Sequence, residues 1–289
     1  MYKVKVFEEF GALNSPSVFE AFKAGVIANG DELVNDYDSA DVIVIWSVLF
    51  AGRMAGNKEY YDRAKKDGKP VVVLEIGNLR RGESWRVGLN GINRTANFGT
   101  GEIDPNRKEL FGIELKPWNL TDGGYITICT QRGDSLQWEG KESISDWVQK
   151  QIETVRKYSN RAIVIRPHPR QQESFTEMFA QLQFKGIEVF FDVPQTTGKD
   201  KVNFEDVLNY SYAIINHSAG PGVQAAIQGT PVVVSEESLA FEVGINIEDI
   251  ENPNLPDREK WFDELVHTEW FESEIESGIP WNRLKQSLL

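Results

Sequence analysis

Three short stretches in the second half of the chain carry residues suited to holding a phosphate. In "INHSAGPGVQAAIQGTPVVV", from Ile215 to Val234, one apolar run ends at Asn216 and His217. Ser218, Ala219, Gly220, Pro221 and Gly222 then lead into another. Ser218 is a good N-cap, Pro221 suits a first helical turn, and Gly220 and Gly222 let a ligand come close to the backbone. Amides at the positive end of a helix would then face the region beyond the carboxyl end of the strand, where open α/β sheets bind ligands. A plain strand-to-helix turn uses the same glycines. In "IRPHPR" (165–170), Arg166, His168 and Arg170 alternate, so they share one side of an extended segment that two prolines stiffen. Three potential cations in such a place suit a diphosphate or a carboxylate. "TQRGDSLQW" (130–138) puts Arg132, a turn at Gly133 and Ser135 after a third strand, where they would reach the same crevice.

The first half offers an acid. In "KPVVVLEIGNLRRGESW" (69–85), Glu75 falls near the carboxyl end of an apolar strand. A carboxylate there can take a proton from an acceptor hydroxyl. An ion pair with Arg80 or Arg81 is the structural alternative, and Glu8 and Glu9 compete for the same role. Arg80, Arg81, Arg86 and Arg94 form a basic strip which, with Asn78 and Glu9, makes a candidate acceptor surface.

Positioning these residues requires alternating strands and helices. Strands are expected at 3–7, 41–46 and 70–76, with a helix starting after Ser15 and ending at Gly30, and a second helix closed by Gly68. After an irregular segment over 90–124 the pattern restarts. Strands are expected at 125–130, 161–168, 187–192, 212–217 and 230–235, with helices near 142–158, 172–185, 204–209 and 221–228. This describes an α/β protein of two Rossmann-like, doubly wound domains facing a cleft. An acceptor domain would occupy 1–120 and a nucleotide-sugar domain 121–252. A tail over 253–289 would pack back on the body through Trp261, Trp270 and Trp281.

Composition narrows the chemistry. With 40% hydrophobic and 26% charged residues the chain reads as an ordinary globular protein, and no run is long enough for a membrane span. The N-terminus lacks the apolar core of a signal peptide, and a cytoplasmic, reducing setting is expected, in a cell or in an infected one. A lone cysteine, Cys129, sits in an apolar run and reads as a small buried hydrophobe; with three histidines it makes a structural zinc site a poor expectation. A net charge of −13 argues against nucleic-acid binding by bulk electrostatics, leaving the arginine strip as the local exception.

Two Rossmann-like halves with phosphate-handling loops in the second resemble the GT-B fold of nucleotide-sugar glycosyltransferases. "RPHPR", "NHSAGPGVQAAIQGTPVVV" and "TEWFESEIESGIPWNRL" resemble capsule-polysaccharide glycosyltransferases. "VNDYDSADVIVIW" and "KPVVVLEIGNLRRGESW" resemble the phage DNA β-glucosyltransferases that modify hydroxymethylcytosine. The latter resemblance implies that Glu75 is the general base of an inverting displacement onto a 5-hydroxymethylpyrimidine in DNA. It also implies that Arg132, Arg166, His168 and the helix N-terminus stabilise the departing diphosphate. The co-substrate implied is a UDP-sugar, with no tightly bound cofactor and no metal. Where GT-B enzymes usually place a ribose-binding Glu, this chain has Gln224, so the ribose contact is expected to shift to Glu236 or Glu237.

Other readings stay open. The acceptor could be a capsule or surface glycan, which the overall charge favours. A nucleotide-sugar 2-epimerase uses the same fold without an acceptor, and a two-domain ligand-binding protein shares the paired sheets.

Overall fold

A computed structural model describes residues 1–120, 124–169, 189–192 and 204–288. The chain forms two α/β units. Unit 1 contains Met1–Ile113, Asp134–Gln137 and Phe262–Leu289; unit 2 contains Glu114–Gly133 and Trp138–Trp261.

Unit 1 begins with β1 (Lys3–Val6), α1 (Pro16–Ala28), β2 (Glu32–Leu33), β3 (Val42–Trp46), α2 (Asn57–Asp67), β4 (Val71–Ile76), β5 (Ser84–Leu89) and α3 (Arg107–Phe111). Strands β2, β1, β3 and β4 lie side by side and parallel, and β5 joins β4 antiparallel. Alternation along β3 explains why both faces are covered. Val42, Val44 and Trp46 pack with Val18, Phe19 and Phe22 of α1, while Ile43 and Ile45 pack with Tyr61 and Ala64 of α2. Ser15 stands at the N-cap of α1, yet its hydroxyl turns back to donate to the Ala12 carbonyl at 2.9 Å and makes no capping bond. No strand is expected between 77 and 124, yet β5 runs over Ser84–Leu89 and Arg86 is one of its residues.

Unit 2 contains β6 (Tyr125–Cys129), α4 (Ile144–Tyr158), β7 (Ile163–Arg166), β8 (Phe190–Phe191), α5 (Phe204–Tyr210), β9 (Ser211–Asn216), α6 (Gly220–Gln228) and β10 (Val232–Val233). The sheet is parallel throughout, in the order β10-β9-β6-β7-β8. Strand order therefore reverses between β6 and β9, the position at which such sheets open a crevice at their carboxyl ends. Ile126, Ile128, Ile163, Ile165 and Ile215 bury one face against Val148, Ile152 and Val155 of α4. The helix expected over 172–185 and the first residues of the strand expected over 187–192 lie outside the described residues.

The last segment supplies α7 (Glu259–Leu265), β11 (Glu269–Phe271), α8 (Glu272–Glu276) and α9 (Ile279–Lys285). Strand β11 adds antiparallel to β5 and completes the unit 1 sheet. Its Glu269 is 0% exposed and accepts from the amides of Asn78 at 2.6 Å and Leu79 at 3.1 Å and from the Ser84 hydroxyl at 2.8 Å. Beside it, buried Arg107 pairs with Glu274 and stacks 4.1 Å from the Trp270 ring. Buried Trp281 donates to Asp31 at 2.8 Å, and buried Trp261 donates to the Leu239 carbonyl at 2.7 Å within unit 2. The chain is thus two Rossmann-like α/β units with one mixed and one parallel sheet, consistent with a GT-B-type fold.

Candidate functional site

At the strand-order reversal of unit 2, the loops after three strands are tied together. The His168 amide donates to Thr130 Oγ1 at 2.9 Å, joining the loops after β7 and β6. The Ser218 amide donates to Gln131 Oε1 at 3.0 Å, joining the loops after β9 and β6. Asn216 at the end of β9 is 1% exposed. Its Nδ2 donates to the Cys129 carbonyl at 2.9 Å, while its buried Oδ1 has no hydrogen-bond partner among the described residues. Gln131 organises this corner and was missed in the sequence, where nothing local sets it apart from the arginine beside it.

Helix α6 opens here, and its start differs from expectation. The N-cap is Ala219, with φ −83° and ψ 173°, and no side chain caps the first turn. Ser218 is one residue too early to cap; it is buried, and its hydroxyl lies 3.4 Å from Gln131 Oε1. Gly220 and Pro221 form the first turn, and a Cβ added at Gly222 would stand 2.9 Å from Val234 Cγ1, so this glycine serves close packing against the sheet. Pro221 has no N–H and the Gly222 amide donates to the Ala219 carbonyl at 3.3 Å, so the Gly220 amide and the helix dipole are what this uncapped start offers an anion at the switch point.

His217 lies edge-on to the Trp138 ring at 5.0 Å and has its Nε2 3.4 Å from Glu237 Oε2, a carboxylate that Lys141 holds at 2.6 Å. Burial lowers the pKa of His217 and outweighs the nearby Glu237, so the ring is neutral at neutral pH. Gln224 is half-buried on α6, and Glu236 is exposed. Cys129 is buried, which pushes its thiol up to about 12 and leaves it inert.

Several expected donor residues are placed otherwise. Arg166 ends β7 ion-paired with Asp192, its guanidinium 5.6 Å over the Phe204 ring, so its charge is neutralised within the unit. Arg170 lies outside the described residues. Arg132 is half-buried and Gly133 exposed. Ser135 belongs to unit 1, where it forms an antiparallel bridge with Leu49.

In unit 1 the carboxyl ends of β3 and β4 bring Ser47 to Glu75. Ser47 is 1% exposed and has φ 64°; its hydroxyl donates to Glu75 Oε2 at 2.5 Å, and Glu75 Oε1 accepts from the Ile76 amide at 2.8 Å. Glu75 is half-buried and makes no ion pair with Arg80 or Arg81 among the described residues. The rival acids are engaged elsewhere. Glu8 pairs with Lys23 at 2.7 Å, and Glu9 accepts from the Tyr60 hydroxyl at 2.6 Å. That bond to Glu9, followed by burial, raises the Tyr60 pKa to about 12.

The expected basic strip does not exist as a surface. Arg86 is 8% exposed and donates to the carbonyls of Ile76, at 3.1 Å through Nη2, and Ile92, at 3.4 Å. The half-buried Arg80 donates through Nε to the Phe111 carbonyl at 2.6 Å. Asn78 offers its amide to Glu269, and only Arg81 and Arg94 of the four arginines are exposed. The reason is β5: a strand through the middle of the cluster turns Arg86 inward.

Among the described residues, no group of three or more His, Cys, Asp and Glu could hold a metal ion, and no helix is long and apolar enough to cross a membrane.

No protein-family model matches this sequence, and no curated protein does. Solved structures are similar to it at low identity and with TM-scores below 0.5. The Thermosulfurimonas dismutans KpsC, a beta Kdo 2,7 transferase, is 13% identical with a TM-score of 0.49, covering 98% of this chain and 100% of that one. A UDP-GlcNAc 2-epimerase from Methanocaldococcus jannaschii, in complex with UDP-GlcNAc and UDP, is 14% identical with a TM-score of 0.35, covering 95% and 80%. Anabaena Alr3699/HepE, in complex with UDP and glucose, is 12% identical with a TM-score of 0.37, covering 99% and 71%.

Proposed function

We propose that this chain is a nucleotide-sugar-dependent glycosyltransferase acting on a saccharide hydroxyl, with a UDP-sugar as donor. The observation that carries this reading is the uncapped start of α6 at the β6/β9 reversal, with the Gly220 amide at its first position. The Gly220 amide and the positive end of the α6 dipole would take the diphosphate. Glu75 in unit 1 is assigned as general base. It removes the acceptor proton, the freed oxygen forms a bond to the anomeric carbon, and the carbon–oxygen bond to the phosphate breaks with its electron pair leaving on the diphosphate. The Gly220 amide and the α6 dipole, rather than Arg166, carry that developing charge.

A glycan acceptor is preferred to a hydroxymethylpyrimidine in DNA because Arg86 and Arg80 are committed to backbone carbonyls within a protein of net charge −13. The second reading, a nucleotide-sugar 2-epimerase, is favoured by the fact that the α6 site needs only a donor.

A nucleotide-release screen separates these. UDP-glucose, UDP-GlcNAc and UDP-galactose are each offered alone, with oligosaccharide acceptors, and with hydroxymethylcytosine DNA. Release of UDP with an oligosaccharide supports the proposal. Sugar epimerised without acceptor supports the second reading, and release with DNA alone overturns the acceptor assignment. With the active pair, Glu75→Gln is expected to lower transfer by roughly 100-fold or more while UDP affinity by calorimetry stays within about twofold.

A further inference from the structure

Resting on the reading of Glu75 as the acceptor base, we infer that Ser47 is the residue that positions it. Two non-glycine residues take positive φ among the described residues, Asn90 at 62° and Ser47 at 64°. Asparagine tolerates that region and Asn90 uses it to accept the Val71 amide at 2.9 Å, whereas a serine there works against its own Cβ. Glycine would make the same turn without strain, so the hydroxyl must be what the position requires.

Four hydrogen bonds hold the strained residue. Its amide donates to the Leu74 carbonyl at 2.8 Å, and the carbonyl of the preceding Trp46 accepts from Asn57 Nδ2 at 2.5 Å. Its Oγ accepts the Leu49 amide at 3.0 Å, which leaves the hydroxyl hydrogen for Glu75 Oε2 at 2.5 Å. In the last bond the serine hydroxyl donates and the carboxylate accepts. Because Ile76 donates to the other oxygen, both carboxylate oxygens are located by donors on rigid strand ends while each keeps a lone pair for an incoming proton. Strain that is over-determined in this way is a property of functional positions.

The test combines Ser47→Gly, Ser47→Ala and Glu75→Gln. Ser47→Gly removes the hydroxyl and the backbone strain together, so its melting temperature is expected to equal or exceed that of the parent. Its kcat, with the active pair from the nucleotide-release screen, is expected to fall roughly 10- to 100-fold with the donor KM within about twofold. In the Glu75→Gln background, measured under single-turnover conditions, the same glycine substitution is expected to cost nothing further. The 13C side-chain carboxyl resonance of Glu75, assigned by its loss in Glu75→Gln, is expected to move in both Ser47 variants, a readout that needs no substrate. An unmoved resonance, or an equal loss of rate in both backgrounds, overturns the role of Ser47. Wild-type turnover by Glu75→Gln instead sinks the base assignment, and this inference with it.

Discussion

Glu75 and Arg86 are direct partners across β4 and β5, yet neither satisfies the other. The carboxylate is held by Ser47 and Ile76 and the guanidinium by two backbone carbonyls. The pair shows why a cluster of arginines in a sequence says little about a binding surface: charge is visible in the letters and burial is not. Replacing Arg86 with Ala is expected to destabilise the protein by about 2–3 kcal/mol in urea unfolding, because two carbonyls lose their donors inside the sheet. The exposed Arg81→Ala is expected to change stability by less than about 0.5 kcal/mol. Neither change should alter retention on a DNA column, and a loss confined to Arg86→Ala at unchanged stability would revive the nucleic-acid acceptor. Glu75 itself was legible as an acid ending a strand. Ser47 was not, since a single serine after "VIVIW" carries no local sign of a positive φ.

Elements were legible in proportion to how fully their own residues determine them. The β-branched runs of β1, β3, β4, β6, β7 and β9 announce themselves, as does α6 between its Pro and its Gly. Strand β5 was hidden by the arginine at its centre, and β11 by its length of three residues and its buried Glu269, whose role depends on partners 185 or more positions away. At α6 the sequence suggested a serine cap, while the backbone places Ala219 at that position. Adding a methyl at Gly222 brings it against Val234, so Gly222→Ala is expected to shift the start of the helix and weaken UDP binding by roughly tenfold or more, with a loss of about 1–2 kcal/mol in stability. Gly229, at φ 83° behind the same helix, would place a Cβ 2.0 Å from the Pro117 carbonyl oxygen. Gly229→Ala is expected to destabilise at least as much while leaving UDP binding by the surviving folded protein unchanged in calorimetry.

For the molecule as a whole, acid sensitivity has sources in both units: His217 of unit 2, lowered by burial, and two groups of unit 1. Buried His267 accepts the Asp104 amide at Nε2 at 3.2 Å, and its Nδ1 lies 2.7 Å from the Asp263 carbonyl, the arrangement of a neutral ring. Burial lowers its pKa, against the Asp263 carbonyl and with help from Arg107 and Arg283. The unfolded chain therefore binds this proton more readily, and stability present above the ordinary histidine value of about 6.5 is lost as pH falls below it. Asp31 is also lowered: burial pushes it up, but the Tyr2 amide, Lys285 and Trp281 together outweigh that. Its contribution is present above about pH 4 and is lost as pH falls through the lower folded value. Urea midpoints between pH 4 and 8 are expected to decline on the acid side, and His267→Gln should flatten the slope between about pH 5 and 7. An unchanged slope would place the sensitivity elsewhere.

Unit 1 is finished by residues that follow the whole of unit 2 along the chain. Until β11 emerges from the ribosome, β5 is a bare strand edge, the amides of Asn78 and Leu79 lack Glu269, and Asp31 lacks Trp281. The amino-terminal sheet must therefore wait, incomplete, while all of unit 2 is translated. During that interval its open margin is available to a chaperone or to the same margin on a neighbouring nascent chain.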